Sequence, residues 1–192
     1  MYLAPLWEKY ISNNEEIYNS EPLYLLVDIK TSAIETYESL EIILNKYKPM
    51  LTHVSSDSFH SKAVTIILSG NRPPINYFDD RKYRNVFIDG RLNNIGEGIS
   101  HKIMPLISSD WRQTFTWDGT GIFPSAQSDI LSMIVKSVHL EKKEIRFLAS
   151  PDNQNAWGTL LLADVDLINT DNIKNFKNFI TLKISKKDII ND

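Results

Sequence analysis

The sequence predicts a parallel α/β domain of (β/α)8, or TIM-barrel, type, with about six βα units present. Apolar runs alternate along the whole chain with stretches of helical periodicity, the pattern of strands joined by right-handed helical crossovers. Each run also ends in polar or charged residues. Leu23–Val27 leads to Asp28-Ile29-Lys30, Ala63–Leu68 to Ser69-Gly70-Asn71-Arg72, and Val86–Ile88 to Asp89-Gly90-Arg91. Ile103–Ile107 leads to Ser108-Ser109-Asp110-Trp111, Ile145–Leu148 to Ser150-Pro151-Asp152, and Val165–Ile168 to Asn169-Thr170-Asp171. Parallel strands point one way, so these ends gather on one rim, where α/β folds place ligands. Polar residues follow every strand rather than one switch point, which favours a barrel over an open sheet.

The helices follow in order. Ser32–Lys48 begins with Ser32 and Glu35 in capping-box spacing and carries Ile34, Tyr37, Leu40, Leu44 and Tyr47 on one face. A second helix starts after Pro124-Ser125 and runs to about His139 through Ile130, Leu131, Ile134, Val135 and Val138. A third follows Pro151-Asp152, with Asp152 as its cap and Trp157, Leu160 and Leu161 inward. A fourth begins near Asp171, as its N-cap, and uses Ile173, Phe176 and Phe179. Gly119-Thr120-Gly121 follows no strand and reads as a loop, and neither G-x-G-x-x-G nor G-x-S-x-G is present. An open nucleotide-binding or hydrolase-like sheet is therefore disfavoured.

A chain of 192 residues, 42% hydrophobic and 23% charged, fits one globular domain, read here as residues 1–192. A formal net charge of -3 gives no general attraction to nucleic acid. Lys174, Lys177, Lys183, Lys186 and Lys187 read as a solvated helix face and tail. Without cysteine there is no disulfide, zinc-thiolate site or thiol nucleophile. No apolar run approaches the roughly 20 residues of a membrane span, and the N-terminus shows no signal-peptide pattern. The sequence leaves the compartment open.

Several rim residues allow two readings. Asp28 and Lys30, two apart on one strand face, are either site residues or an internal ion pair. Asn71 and Arg72 are anion ligands or parts of the turn at Pro73-Pro74. Asp89 and Arg91 are substrate contacts or a salt bridge. Asp110 and Trp111 are a carboxylate beside an apolar wall for a polyol or lipid head group, or a helix cap beside a packed indole. Asn169 is a polar contact. His53, His60, His101 and His139 precede strands or end helices, away from the rim, and read as surface histidines. The six residues between His53 and His60, in a Ser/Asp-rich loop, match no ligand spacing.

Asp28-Ile29-Lys30, Leu68-Ser69-Gly70-Asn71-Arg72-Pro73 and Asp164-Val165-Asp166-Leu167-Ile168-Asn169-Thr170-Asp171 together resemble the phospholipase-C-like phosphodiesterases. That superfamily includes glycerophosphodiester phosphodiesterases, phosphatidylinositol-specific phospholipases C and sphingomyelinase D. The resemblance implies a TIM barrel of which this chain looks like strands three to eight, with Leu3–Ser12 ending the second crossover helix. The family's His-rich opening motif, acid-x-acid pair and second histidine have no counterpart here.

The resemblance also implies divalent-cation-dependent cleavage of a glycerophosphodiester or phospholipid head group. Two histidines would act as acid and base, with Mg²⁺ or Ca²⁺ on three acidic ligands. Asp28 would be the third of those ligands and Lys30 the catalytic cation facing phosphate. Asn71, Arg72, Asp89, Arg91, Asp110, Trp111 and Asn169 would line the substrate. Without the histidine pair, the alternative is a catalytically incompetent fragment or an anion-binding module on the same fold. An open barrel edge implies self-association.

Overall fold

A computed structural model describes residues 2–18, 21–56 and 58–190, with side chains up to residue 182. The side chains of Lys183, Lys186 and Lys187 lie outside the described residues. The chain folds as two compact units, Met1–Gly90 with Ile99–Pro105, and Arg91–Gly98 with Leu106–Asp192.

The first unit holds α1 (Leu3–Ser12), β1 (Leu23–Ile29), α2 (Ala33–Leu44), β2 (His53–Ser55), β3 (Ser58–His60), β4 (Val64–Gly70), β5 (Tyr83–Arg84) and β6 (Val86–Gly90). β1 pairs in parallel with β4, and β4 with β6. Ile66, Ile67, Leu68, Val86 and Phe87 are fully buried, as a strand covered on both faces requires. α2 packs Tyr37 and Leu44 into this core and passes into a 3-10 helix, Asn45–Met50, that contains Pro49. The α-helix therefore stops short of the expected Lys48. Proline removes a donor and bars the α-helical conformation at the residue before it. The Ser32–Glu35 capping box does not form; the Ser32 side chain makes no cap bond, and Ile34 is 40% exposed.

β2, β3 and β5 form a small antiparallel sheet where a Ser/Asp-rich loop was expected. Its inner face carries Val54, Phe59 and Arg84; Phe59 meets Phe87 edge-on at 5.9 Å between ring centroids. Arg84 is 6% exposed, donating to Val86 O (2.9 Å) and Lys102 O (2.7 Å) and lying over the Phe87 ring. Burial lowers its pKa.

The second unit holds β7 (Leu106–Asp110), α3 (Trp111–Thr114), α4 (Ser125–Leu140), β8 (Glu144–Leu148), α5 (Gln154–Leu162) and α6 (Ile173–Ile190). β7 and β8 are parallel, with Ser108 beside Arg146 and Asp110 beside Leu148. β7 starts later than expected because Ile103 and Met104 both turn back to Ser100 O and Pro105 has no N–H to give a ladder. α4 buries Leu131, Val135 and Val138.

The expected sixth strand, Val165–Ile168, is reduced to one parallel bridge between Arg146 and Leu167. Asp166 Oδ2 accepts the Ile145 N–H at 2.8 Å, so a side chain takes the place of a ladder carbonyl. The α5 cap is Asn153, whose side chain accepts from Ala156 N at 3.0 Å, rather than Asp152. α6 starts at Ile173, beyond Asp171, and packs Phe176 and Phe179 on Trp157 while Ile173 is 72% exposed. Among the described residues no helix is long and apolar enough to cross a membrane.

Candidate functional site

In the first unit the parallel register sets Asp28 beside Ser69 and Ile29 beside Gly70. The pairing of Leu68 with Ile88 carries the row on to Asp89, whose Oδ2 accepts the Ser69 hydroxyl at 2.5 Å. Asp28, Ser69 and Asp89 thus form one line at the C-terminal ends of β1, β4 and β6. Asp89 is fully buried. Asp28 stands open, its Oδ2 2.6 Å from Lys30 Nζ, with side-chain exposures of 54% for Asp28 and 78% for Lys30.

Gly70 makes this arrangement possible. Its φ of 68° lies in the left-handed region, and a Cβ there would collide with Asp28 Oδ1 and Ile29 O. Asn71 binds the two strand ends together, donating Nδ2 to Thr31 O (2.6 Å) and its N–H to Ile29 O (2.8 Å). Arg72 is half-buried, its N–H turned to Gly70 O, and Pro73 is buried. Asn71 therefore holds the rim in shape; Asp28 and Lys30 are its exposed charges.

The second unit has a cleft of about 520 Å³ at the C-terminal ends of β7 and β8, lined by Arg91, Asn93, Ser108, Asp110, Gln113 and Leu148 among others. Arg91 N donates to Asn94 Oδ1, and Gly96 N to Glu141 Oε1, so the loop carrying Arg91 is tied down at both ends. Ser108 Oγ receives Arg146 Nε at 2.7 Å. Asp110 caps α3 through Arg112 N and grips the Arg112 guanidinium by both oxygens, at 3.0 and 2.8 Å. These bonds hold the Asp110 carboxyl below its ordinary pKa.

Trp111 is 2% exposed, packed on Phe115 and Phe147, and donates its indole N–H to Trp117 O. It has the surroundings of a packed core residue. Asn169 is half-buried in the segment after the Leu167 bridge.

Mg²⁺ and Ca²⁺ take several oxygen ligands. Among the described residues no three His, Cys, Asp or Glu side chains converge, and Asp28 offers a single carboxylate already facing Lys30. The described residues do not by themselves make such a centre. Nor do His53, His60 and His139 reach the rims. His139 Nε2 contacts Asp166 Oδ2 at 2.9 Å near the start of β8, and His53 and His60 lie on the β2–β3 hairpin.

Comparison with known proteins adds one finding to this geometry. No curated protein and no solved structure matches the chain. Residues 8–89, less than half of the chain, match the AIM6-like phosphodiesterase domain. The matched segment lies within the first unit and contains Asp28, Lys30, Ser69, Gly70, Asn71, Arg72 and Asp89, and over it the likeness to the phosphodiesterases is shown.

Proposed function

We propose that the rim at the ends of β1 and β4 receives the phosphate of a phosphodiester, a glycerophosphodiester or phospholipid head group, in a hydrolase of the phosphodiesterase type. The finer architecture in this reading is a TIM-type barrel to which the parallel strands belong. The phosphodiesterase-like segment supports the reaction class. The observation that carries the site is the Asp28–Lys30 pair, charged, open to solvent and inside that segment.

An ion pair so exposed contributes roughly 0–1 kcal/mol to stability, so folding gives little reason for two charges at a strand end. A phosphate oxygen is a better partner for the Lys30 ammonium than a solvated carboxylate two residues away. Lys30 therefore binds and orients the anion, and Asp28 holds Lys30 in place until it arrives. Should a Mg²⁺ or Ca²⁺ ion serve the reaction, Asp28 is an acidic residue on this rim that would offer it an exposed carboxylate oxygen.

A second reading rests on the same rim. It carries no histidine among the described residues, which favours an anion-binding module that recognises phosphodiesters without cleaving them.

Titration of the chain with inorganic phosphate and glycerophosphocholine, followed by calorimetry, tests the site. Lys30→Ala should weaken binding about tenfold or more, a loss of about 1.4 kcal/mol, and equal affinity in wild type and variant would remove Lys30 from the site. Turnover of bis(p-nitrophenyl) phosphate with added Mg²⁺ or Ca²⁺, lost in Asp28→Asn, selects the hydrolase. Binding without turnover selects the module.

A further inference from the structure

His53 and His60, with six residues between them on a short hairpin, are directly opposite each other across β2 and β3. Opposed residues on antiparallel strands have Cβ atoms roughly 4.5–5.5 Å apart and share one face. The two imidazoles stack at 4.7 Å between centroids, with 18° between their planes. Alternation along the strands turns Val54 and Phe59 to the other face, so this outward face holds His53 and His60, with Tyr83 of β5 5.2 Å from the His53 ring.

The hydrogen bonding fixes the state of one ring. His53 Nδ1 lies 3.1 Å from Leu51 O. A carbonyl only accepts, so Nδ1 carries the proton, and in the neutral ring the Nε2 lone pair is free. A backbone carbonyl that orients an imidazole through its other nitrogen is the usual outer support of a metal-bound histidine. His60 is exposed, so its ring turns about χ1 and χ2 at little cost to bring its own nitrogen beside that of His53.

We propose that His53 and His60 form a two-imidazole site for a borderline divalent transition metal, Zn²⁺, Ni²⁺ or Cu²⁺, with water completing the coordination. Imidazole suits these ions, at about 2.0–2.1 Å from nitrogen for zinc, while Mg²⁺ and Ca²⁺ prefer oxygen. Lys48 puts a positive charge on the same Tyr83 ring that His53 meets, its ammonium 4.9 Å from that ring's centroid. The site is independent of the phosphate rim and stands or falls apart from it.

Calorimetric titration of the untagged full chain with Zn²⁺ and with Ni²⁺ tests it. One saturable equivalent is expected, tighter for Cu²⁺ than for either and unaffected by millimolar Mg²⁺ or Ca²⁺. His60→Ala, at an exposed position, should abolish saturable binding, whereas His101→Ala and His139→Ala should retain it. In the unmodified protein, Zn²⁺ should move the ring-proton NMR signals of His53 and His60 and leave those of His101 and His139 in place. Equal binding by His60→Ala, signals moving on His101 or His139 instead, or no saturable binding at all would overturn the proposal.

Discussion

The carboxylate of Asp28 occupies the space that a side chain on Gly70 would need. Gly70 sits at φ 68°, and a Cβ built on it would meet Asp28 Oδ1 and the Ile29 carbonyl oxygen. The glycine after β4 is therefore part of the seat of a charge on β1, and the two ends of the rim depend on one another.

Gly70→Ala should cost more than its backbone conformation alone. A left-handed non-glycine residue costs about 1–2 kcal/mol, and Gly98, at φ 73° with nothing near its missing Cβ, isolates that cost. Urea unfolding of Gly70→Ala and Gly98→Ala should show the former less stable by about a further 1 kcal/mol or more. Equal losses would mean that neither Asp28 nor the Ile29 carbonyl resists the added Cβ.

Asp110 should titrate differently once Arg112 is removed. Its carboxyl is held below the ordinary range first by the Arg112 side-chain bonds and then by the Arg112 backbone N–H. A depressed folded pKa means that the ionised form is favoured above the unfolded pKa and that the benefit is lost as pH falls through the folded value. In Arg112→Ala the Asp110 carboxyl signal, followed by carbon NMR, should titrate closer to its ordinary value near 4. An unmoved midpoint would show that the fork carries no charge coupling.

Asp152 ties α5 to the segment before α6. Its Oδ1 accepts from the Trp157 indole at 2.9 Å and the Thr170 hydroxyl at 2.6 Å, and Oδ2 from Asp171 N at 3.0 Å. Burial acts to raise its pKa, but the bonds from Thr170, Asp171 and Trp157 outweigh it and leave the pKa lowered. The linkage has the same sign as for Asp110: the contribution is complete above about pH 4 and fades below it. Asp152→Asn should cost on the order of 1–2 kcal/mol at neutral pH and flatten the acid limb of the stability curve. Thermal unfolding from pH 2.5 to 7 checks both.

Much of the rim was legible from the sequence, because apolar runs ending in polar residues mark parallel strands and the sides on which they end. Asp28, Lys30 and the turn at Ser69–Arg72 emerge from that rule. What it missed has local causes. The segment at Val165–Ile168 has a strand's composition, but Asp166 offers its own carboxylate to Ile145 N and replaces the ladder bond. The three-residue strands at His53–Ser55 and Ser58–His60 are too short for an alternation signal, so in the sequence the histidine pair reads as loop. No pattern in the sequence marks Arg84 as buried; Val86 O, Lys102 O and the Phe87 face supply its partners inside.

Trp111 distinguishes a packed indole from a substrate wall. It is nearly inaccessible and lies 4.1 Å from the Phe115 ring centroid and 5.6 Å from that of Phe147. Trp111→Ala should destabilise the chain by about 3–5 kcal/mol, the usual cost of emptying an aromatic core position, with any loss of ligand affinity following the loss of folded protein. Reduced affinity in a stably folded Trp111→Ala variant would restore the substrate-wall reading.

The edge of β1 away from β4 should make the protein self-associate. Among the described residues β4 is the strand that pairs with β1. Leu25 and Val27 sit half-buried beside an apolar cleft of about 260 Å³ that also takes in Leu40, Ile43 and Tyr47. An open strand next to apolar surface is a template for a second strand, and β1 of another copy offers the same groups in mirror order for an antiparallel pair. Asp28 and Lys30, at the end of the strand, are charges near enough to oppose it. Sedimentation velocity between about 5 and 200 μM should show the mean coefficient rising with concentration. Val27→Lys, which places a charge on the edge without touching the rim, should return it to the monomer value while phosphate binding stays unchanged. A wild-type chain that stays monomeric across that range would show that the edge is already protected.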